Sequence, residues 1–468
     1  PGFDGRLGAV YNFIKDYAAT FVLVACIIAA IRRGIYKPKR YAVPEKLGKD
    51  HTAEAVFVLG IISTLMISES LFEASELAHT FQVTGQTHFL APLSLVWIFK
   101  ALLSSASLEF LQGLHIFMYY VHDLAFFFFL CFLPMGKHFH VITSIFNVFF
   151  MRVQKGNIKP VQHGIKDEEL DNLESFGVKR LEDFTWKHML DFYSCADCGR
   201  CSDQCPANAV GRPLSPRFIT IKARDLIFKN YPMSGEIYKS KLLVEDIYTE
   251  DEIWSCTTCG ACEEECPLGI EYIDKMVDMR RGMVDEGMVP QSLQKPLKAL
   301  EKRGNPYGKM EKKRADWANE KEFKALHTVK ELGAEAADTL FFVDSITSYD
   351  DNIQEIARRT AIILERAGID FGILGKAEKD SGNEVLRFGE EMLYQDLKEQ
   401  NTEAILESGV KQIITADPHA YNALKNDYTG LPPVRHISQV VAEKVAKGEL
   451  ALRDCLDPDQ VYVYHDPC

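Results

Sequence analysis

CADCGRCSDQCP at residues 195–206 and CTTCGACEEECP at 256–267 share one spacing, Cys-x2-Cys-x2-Cys-x3-Cys-Pro. Together they hold eight of the chain's 12 cysteines. Three cysteines at i, i+3 and i+6 wrap one 4Fe–4S cube, and the proline after the fourth turns that cysteine toward a second cube. The spacing therefore predicts one cluster on Cys195, Cys198, Cys201 and Cys266, and another on Cys256, Cys259, Cys262 and Cys205. Gly199 and Gly260 supply the tight turn between ligands. Zinc sites use cysteine pairs and need neither four cysteines twice nor a proline after each set. Clustered Cys-x2-Cys spacing also argues against disulfides and for a reducing compartment. Two cubes with exchanged arms sit close together, which suits a conductor of electrons better than an isolated catalytic centre.

The flanks read as helix. LEDFTWKHMLDFYSC (181–195), PRFITIKARDLIFK (216–229) and EYIDKMVDMRRGMVDEG (271–287) carry helical periodicity. Met276, Met279 and Met283 read as core filler. The chain's 468 residues suffice for about three domains. Its net charge of −13 falls mostly after residue 165 and argues against a nucleic-acid partner.

Before the cysteine runs the composition is that of membrane. The run 17–31, extended by Phe13 and Ile14, is a first span and Ala53–Phe72 a second. Residues 114–134, with FFFFLCFL, form the third, while 89–103 reads as a helix lying in the outer interface. Basic residues put 32–49 and 137–166 in the cytoplasm and 73–99 outside. A four-span reading would put the cysteine runs outside. His122 and His140 are 18 residues apart. On one continuous helix they would share a face, roughly 27 Å apart. Two such imidazoles suit axial ligands of haem b, one or two groups, although interfacial polar residues read the same way. Asp123 is the acidic neighbour of His122.

After residue 335 the pattern turns to α/β, with strands at TLFFV (339–343), IDFGIL (369–374), VKQIITAD (410–417) and QVYVYHD (460–466), and helices between. The expected architecture is multidomain: a transmembrane b-haem domain (1–160), a small helical two-cluster ferredoxin-like domain (161–290), a linker (291–335) and an α/β domain (336–468). The first and last are expected to be incomplete at their outer ends.

YVH (120–122) and LPMGKHFH (133–140) resemble the last haem-carrying helix of the respiratory nitrate reductase gamma subunit. That resemblance implies His122 for an outer haem and His140 for an inner one. His51 and His79 do not stand at that family's spacing, so the partner ligands are expected on a helix before residue 1. LEDFTWK, PLSPR, RGNPYGKMEKKRADWA, GEEMLYQDLKEQN, PHAYNALKNDY and YHDPC, with the paired cysteine runs, resemble the iron–sulfur subunit of heterodisulfide reductase. That family's C-terminal repeats hold a noncubane cluster on a lone Cys, a Cys-Cys-Gly and a Cys-Pro-x-Cys element. Here those positions read Ser345, then Asp380, Ser381 and Gly382, then Asp417, Pro418, His419 and Ala420. The first repeat should hold no such cluster. An oxygen and imidazole metal site on Asp380, Asp417 and His419 is the lesser alternative to a structural remnant. Cys468 would open a second repeat and could ligate a cluster completed beyond it. Cys455 reads as a plain thiol.

The whole resembles the electron-transfer-flavoprotein:menaquinone oxidoreductases. This implies a multi-pass protein of the bacterial cytoplasmic membrane with its Fe–S domains in the cytoplasm. Its partners would be electron-transfer flavoprotein or another cytoplasmic flavoprotein, menaquinone and the lipid bilayer. Two other readings stand beside it: a quinol- or haem-linked disulfide or heterodisulfide reductase, and an Fe–S electron-transfer subunit of a 2-hydroxy-acid dehydrogenase complex.

Overall fold

The computed structural model describes residues 5–43, 52–86, 89–159, 172–173, 175–232, 234–452 and 459–463. His51, Cys455 and Cys468 lie outside them. The apolar N-terminal runs become α1 (Gly5–Gly34), α2 (Thr52–Thr84), α3 (Leu95–Leu103), α4 (Leu108–Phe132) and α5 (His140–Phe149). Three stretches, Leu7–Gly34, Thr52–Thr84 and Leu108–Met135, are long and apolar enough to cross a membrane. At nine residues, α3 rises only about 14 Å, half a bilayer core. Ser94 caps it by accepting the Trp97 amide at 3.2 Å. α2 buries small side chains, Ala55, Ser68, Ser70, Ala74, Ser75 and Ala78, which let α1 and α4 approach it closely.

The continuous helix expected from His122 to His140 does not form. α4 stops at Phe132, two 3-10 turns cover Leu133–Met135 and Lys137–Phe139, and α5 begins at His140. Pro134 cannot continue the hydrogen-bond ladder, and Gly136 is extended between the turns. The shared helix face and the 27 Å rise therefore lapse, and each histidine has to be judged by its own surroundings.

The cysteine region is helical around its loops, with α6 (Trp186–Ser194), α7 (Pro216–Asn230) and α8 (Ile273–Asp285) as its frame. Thr185 caps α6 by accepting the His188 amide, and the helix runs straight into Cys195. Phe192, Ile219, Ala223, Ile227 and Ile253 pack with Met276, Met279 and Met283, all buried. The methionines are core filler, as their helical spacing suggests.

The C-terminal part carries a five-stranded, all-parallel sheet in the order β1-β3-β2-β4-β5. The strands are β1 (Lys330–Glu331), β2 (Thr339–Phe342), β3 (Phe371–Ile373), β4 (Gln412–Thr415) and β5 (Val434–His436). β2 is buried at every position, as a central strand covered on both faces must be. The edge strands β1 and β5 are short and carry no strong apolar pattern. QVYVYHD gives no strand in its described residues 460–463.

Candidate electron-transfer site

The two cysteine loops repeat one backbone device. Asp197 and Thr258, each two residues after the first cysteine, take positive φ (58° and 54°). In each loop that residue's amide donates to the first cysteine's Sγ at 3.4 Å: Asp197 to Cys195 and Thr258 to Cys256. Gly199 and Gly260 follow at φ 76° and 80°. The left-handed turns fold each loop back on itself.

The thiols group across the two runs. Cys266 lies near Cys198, whose charge bears on it, and near Cys195 and Cys201, on which its own charge bears. Cys205 lies by Cys256, which also feels Cys259. Cys262 joins the second group and faces Cys201 of the first. Burial pushes the Cys195 thiol up to about 11 and Cys201 to about 12, and raises Cys256, Cys262 and Cys266 as well. Thiols so buried keep their protons at neutral pH unless a metal takes the proton's place. Among the described residues, no three His, Cys, Asp or Glu side chains are gathered tightly enough for a single metal ion. A cubane spreads its four thiolates wider than one ion does, and the two groups suit that. Cys259 is exposed and borders a cleft of about 960 Å³ lined also by Arg152, Lys155, Glu264 and Arg387.

Charged side chains tie this centre to its neighbours. Arg33, at the end of α1, reaches the Asp197 carboxylate at 3.2 Å, and Arg217 Nε meets its other oxygen at 2.5 Å. Arg217 also donates to the carbonyls of Arg40 (3.0 Å) and Ala42 (3.1 Å). Asn147 of α5 donates to the Leu268 carbonyl at 2.8 Å, two residues past Cys266. The first loop thus rests against the chain leaving α1, and the segment just past Cys266 rests against α5. On the other side, Arg280 Nη2 donates to the Cys256 carbonyl at 2.5 Å and Nη1 to the Arg387 carbonyl at 2.8 Å. Trp254 stacks on Phe388 with centroids 4.7 Å apart. The second loop therefore faces the sheet domain.

His122 is half-buried, with Nδ1 3.2 Å from the Ser68 hydroxyl of α2. Two turns earlier, His115 Nδ1 lies 3.0 Å from the Phe72 carbonyl and its ring stacks on Phe72 at 4.0 Å. Sequence reasoning passed over His115, although its spacing of seven from His122 places both on one face of α4. His140 packs beside His138, whose Nδ1 is 3.3 Å from Glu54. His79 is half-buried on α2.

The altered repeat positions converge at the ends of the central strands. Asp344 (φ 62°) accepts the amides of Ser345 at 2.6 Å and Ser381 at 3.2 Å. Arg314 donates to Ser345 Oγ at 3.0 Å and pairs with Glu378. Burial, then mutual repulsion, raises the Asp344 carboxyl; burial first also raises Asp380. Asp417 instead caps a helix by accepting the His419 and Ala420 amides, and His419 pairs with Glu384. Among the described residues, Asp380, Asp417 and His419 are not gathered into a group that could hold a metal ion.

Two groups of four cysteines beside helices of membrane-spanning length define an iron–sulfur oxidoreductase. The profile of a 4Fe–4S dicluster domain matches residues 194–270. The chain belongs to the family of the probable iron-sulfur-binding oxidoreductase FadF of Bacillus subtilis (strain 168), with which it shares 30% identity over 511 residues, all of this chain and 70% of that protein. It is 29% identical over 500 residues to the EtfAB:quinone oxidoreductase of Syntrophomonas wolfei, again over its whole length and 68% of the relative. Over 61% of the chain it is 26% identical to one component of the dihydromethanophenazine:CoB–CoM heterodisulfide reductase of Methanosarcina mazei, covering 71% of that component. No solved structure matches.

Proposed function

We propose that the chain carries electrons from a cytoplasmic flavoprotein, in the first place electron-transfer flavoprotein, to menaquinone in the bilayer. Its division would be a membrane haem part (1–160), a two-cluster part (161–290), a linker (291–335) and a sheet domain (336–468). The observation that carries the reading is the seating of the first cysteine loop on the chain ends of the membrane helices, through Arg33–Asp197 and Arg217–Arg40. A conductor built into the protein ends at that face. The name of the Syntrophomonas relative, an EtfAB:quinone oxidoreductase, supports the same donor and acceptor classes.

Cys195, Cys198, Cys201 and Cys266 would hold one 4Fe–4S cluster, and Cys256, Cys259, Cys262 and Cys205 the other. Bound there, the clusters supply one-electron carriage. The protein orients and insulates them: the amides of Asp197 and Thr258 fix the first thiol of each set, and the buried core excludes water. Cys259, the exposed thiol, and its cleft, which Cys266 also lines, offer a soluble donor an approach. His122 and His140 are the proposed haem b ligands. Ser68 at His122 Nδ1 supports this, because it leaves Nε2 free to ligate. Three apolar helices, with the basic residues Arg33, Arg40, Arg152 and Lys155 at their ends touching the cysteine region, support a multi-pass protein of the bacterial cytoplasmic membrane. A noncubane cluster using Cys468 belongs to this proposal as an addition. The heterodisulfide reductase reading is the weaker one, since Ser345, Asp380, Ser381 and Asp417 occupy the first repeat's ligand positions.

The test is anaerobic. Reduced electron-transfer flavoprotein is added to the oxidised, detergent-solubilised full chain, followed by a menaquinone analogue. Haem absorption should reduce and then reoxidise. Haem left oxidised by flavoprotein but reduced by menaquinol would reverse the assignment, and absence of a haem band would remove His122 and His140 as ligands.

A further inference from the structure

We infer that Tyr272 and the arginines around the first cysteine loop make the Cys195–Cys198–Cys201–Cys266 group the higher-potential member of the pair, so that electrons run from the Cys259 side toward the membrane helices. The inference rests on two 4Fe–4S clusters being held as proposed and adds an order of potentials to that reading.

Tyr272 is fully buried, and its hydroxyl donates to Cys201 Sγ at 3.4 Å. Its amide is pinned by Glu263 Oε1 at 2.6 Å at the entry to α8, and the Lys275 ammonium lies over its ring at 5.5 Å. The phenol is held in place rather than free to turn. In the second group the Thr258 amide on Cys256 matches the Asp197 amide on Cys195, but Tyr272 has no counterpart among the described residues. Reduction places one more negative charge on a cluster and its thiolates. A donor to a ligating sulfur stabilises that form more than the oxidised one and raises the potential.

Around the first group the cations outnumber the carboxylates: Asp197 bears on Cys195 and Asp191 on Cys266, but Asp191 is paired with both Lys187 and Lys275. Arg224, 1% exposed, donates to the Cys195 carbonyl at 3.1 Å. Two more arginines, Arg33 and Arg217, share the single Asp197 carboxylate. The second group has Arg280 at the Cys256 carbonyl, but the Glu263 charge bears on Cys262, and Glu264 lines the cleft beside Cys259. Water at exposed Cys259 works in the opposite sense. Half-exposed thiols stand in both groups, Cys198 and Cys266 in the first and Cys256 in the second, and Glu264 at the Cys259 edge pairs with Lys155. Exposed charges act through a far higher dielectric than the buried arginine and phenol. The buried groups win. In the transfer itself one electron leaves the Cys256 group and one arrives at the Cys195 group, with no bond made and no proton moved.

The experiment is an EPR-monitored potentiometric titration of the detergent-solubilised full chain, beside Tyr272→Phe. Two reduction waves are expected. Tyr272→Phe should lower the upper wave, leave the lower one in place and leave the iron content unchanged. A shift in the lower wave, or in neither, overturns the inference. Lack of any cluster signal in the unaltered chain overturns the two-cluster reading and this inference with it, a different outcome from two waves indifferent to Tyr272. Should Tyr272→Phe fail to fold, a fluorinated tyrosine placed at 272, isosteric and a stronger donor, must raise the upper wave. An unmoved wave there overturns the inference equally.

Discussion

Gly199 and Gly260 occupy the same place in the two cysteine loops and take the same left-handed backbone, yet they are not equivalent. A Cβ at Gly199 would lie 2.2 Å from the Arg40 carbonyl oxygen, whereas one at Gly260 meets nothing within 4 Å. Gly260→Ala should cost only the backbone term, about 1–2 kcal/mol. Gly199→Ala must also push the chain after α1 off the first loop, and limited proteolysis should then cut within 35–43 while Gly260→Ala stays protected. Equal protection in both variants would contradict the docking. The pair of glycines was legible in the spacing; their difference was not, because Arg40 reaches Gly199 only in the fold. Glu271 gives a pH prediction. Burial opposes its ionisation, but the Lys159 hydrogen bond, the Lys187 and Lys159 charges and the Arg152 amide outweigh it and hold its carboxyl down to about 2. A depressed folded pKa gives stability that is present above the ordinary value near 4.5 and is lost as pH falls toward 2. The melting temperature should drop across that window, and Glu271→Gln should flatten the drop. An unchanged slope in the variant would assign the acid loss to other carboxylates.

At the level of elements, long periodic segments were readable and short ones were not. The three apolar runs, the helix after the second cysteine run and the central strand β2 follow from composition and period alone. β1 and β5, two and three residues long, carry too little pattern to stand out. The break after α4 could have been read from Pro134 and Gly136, but the spacing of His122 and His140 drew the reading toward an unbroken helix. The convergence of Ser345, Asp344, Asp380 and Ser381 depends on parallel strands ending side by side, which local pattern does not reveal. The Trp254–Phe388 stack joins the cluster region to the sheet domain, so Phe388→Ala should cost on the order of 2 kcal/mol and increase amide exchange along 383–388. Unaltered exchange would mean that Arg280 and the buried Arg281–Glu391 pair hold the two parts together without the stack. Ser68→Ala removes the partner of His122 Nδ1 and, under the haem assignment, should shift the haem midpoint potential while leaving the fold intact. An unmoved potential would detach His122 from the haem.

Across the whole molecule the cysteine groups occupy the middle, with the long apolar helices on one side and the parallel sheet on the other. Cys195, Cys201 and Cys262 form a core of their own with Ile270 and Tyr272. Iron removal should therefore destabilise this region and not only silence it, seen as a lower melting temperature after chelation under reducing conditions. An unchanged melting temperature would mean that the clusters are not structural. The cofactor class was legible in the sequence because cubane ligation imposes spacing. The order of potentials inferred for the two groups was not, because Tyr272, Arg224 and Arg280 reach the loops from distant segments. The central claim is a series path through both cysteine groups, and the most direct test is turnover. Oxidation of reduced electron-transfer flavoprotein by a menaquinone analogue should be measured anaerobically with the solubilised full chain, Cys198→Ala and Cys259→Ala. The account predicts steady turnover in the intact chain and its loss in both variants. Turnover surviving in either variant would show a route that bypasses one group and would contradict the relay.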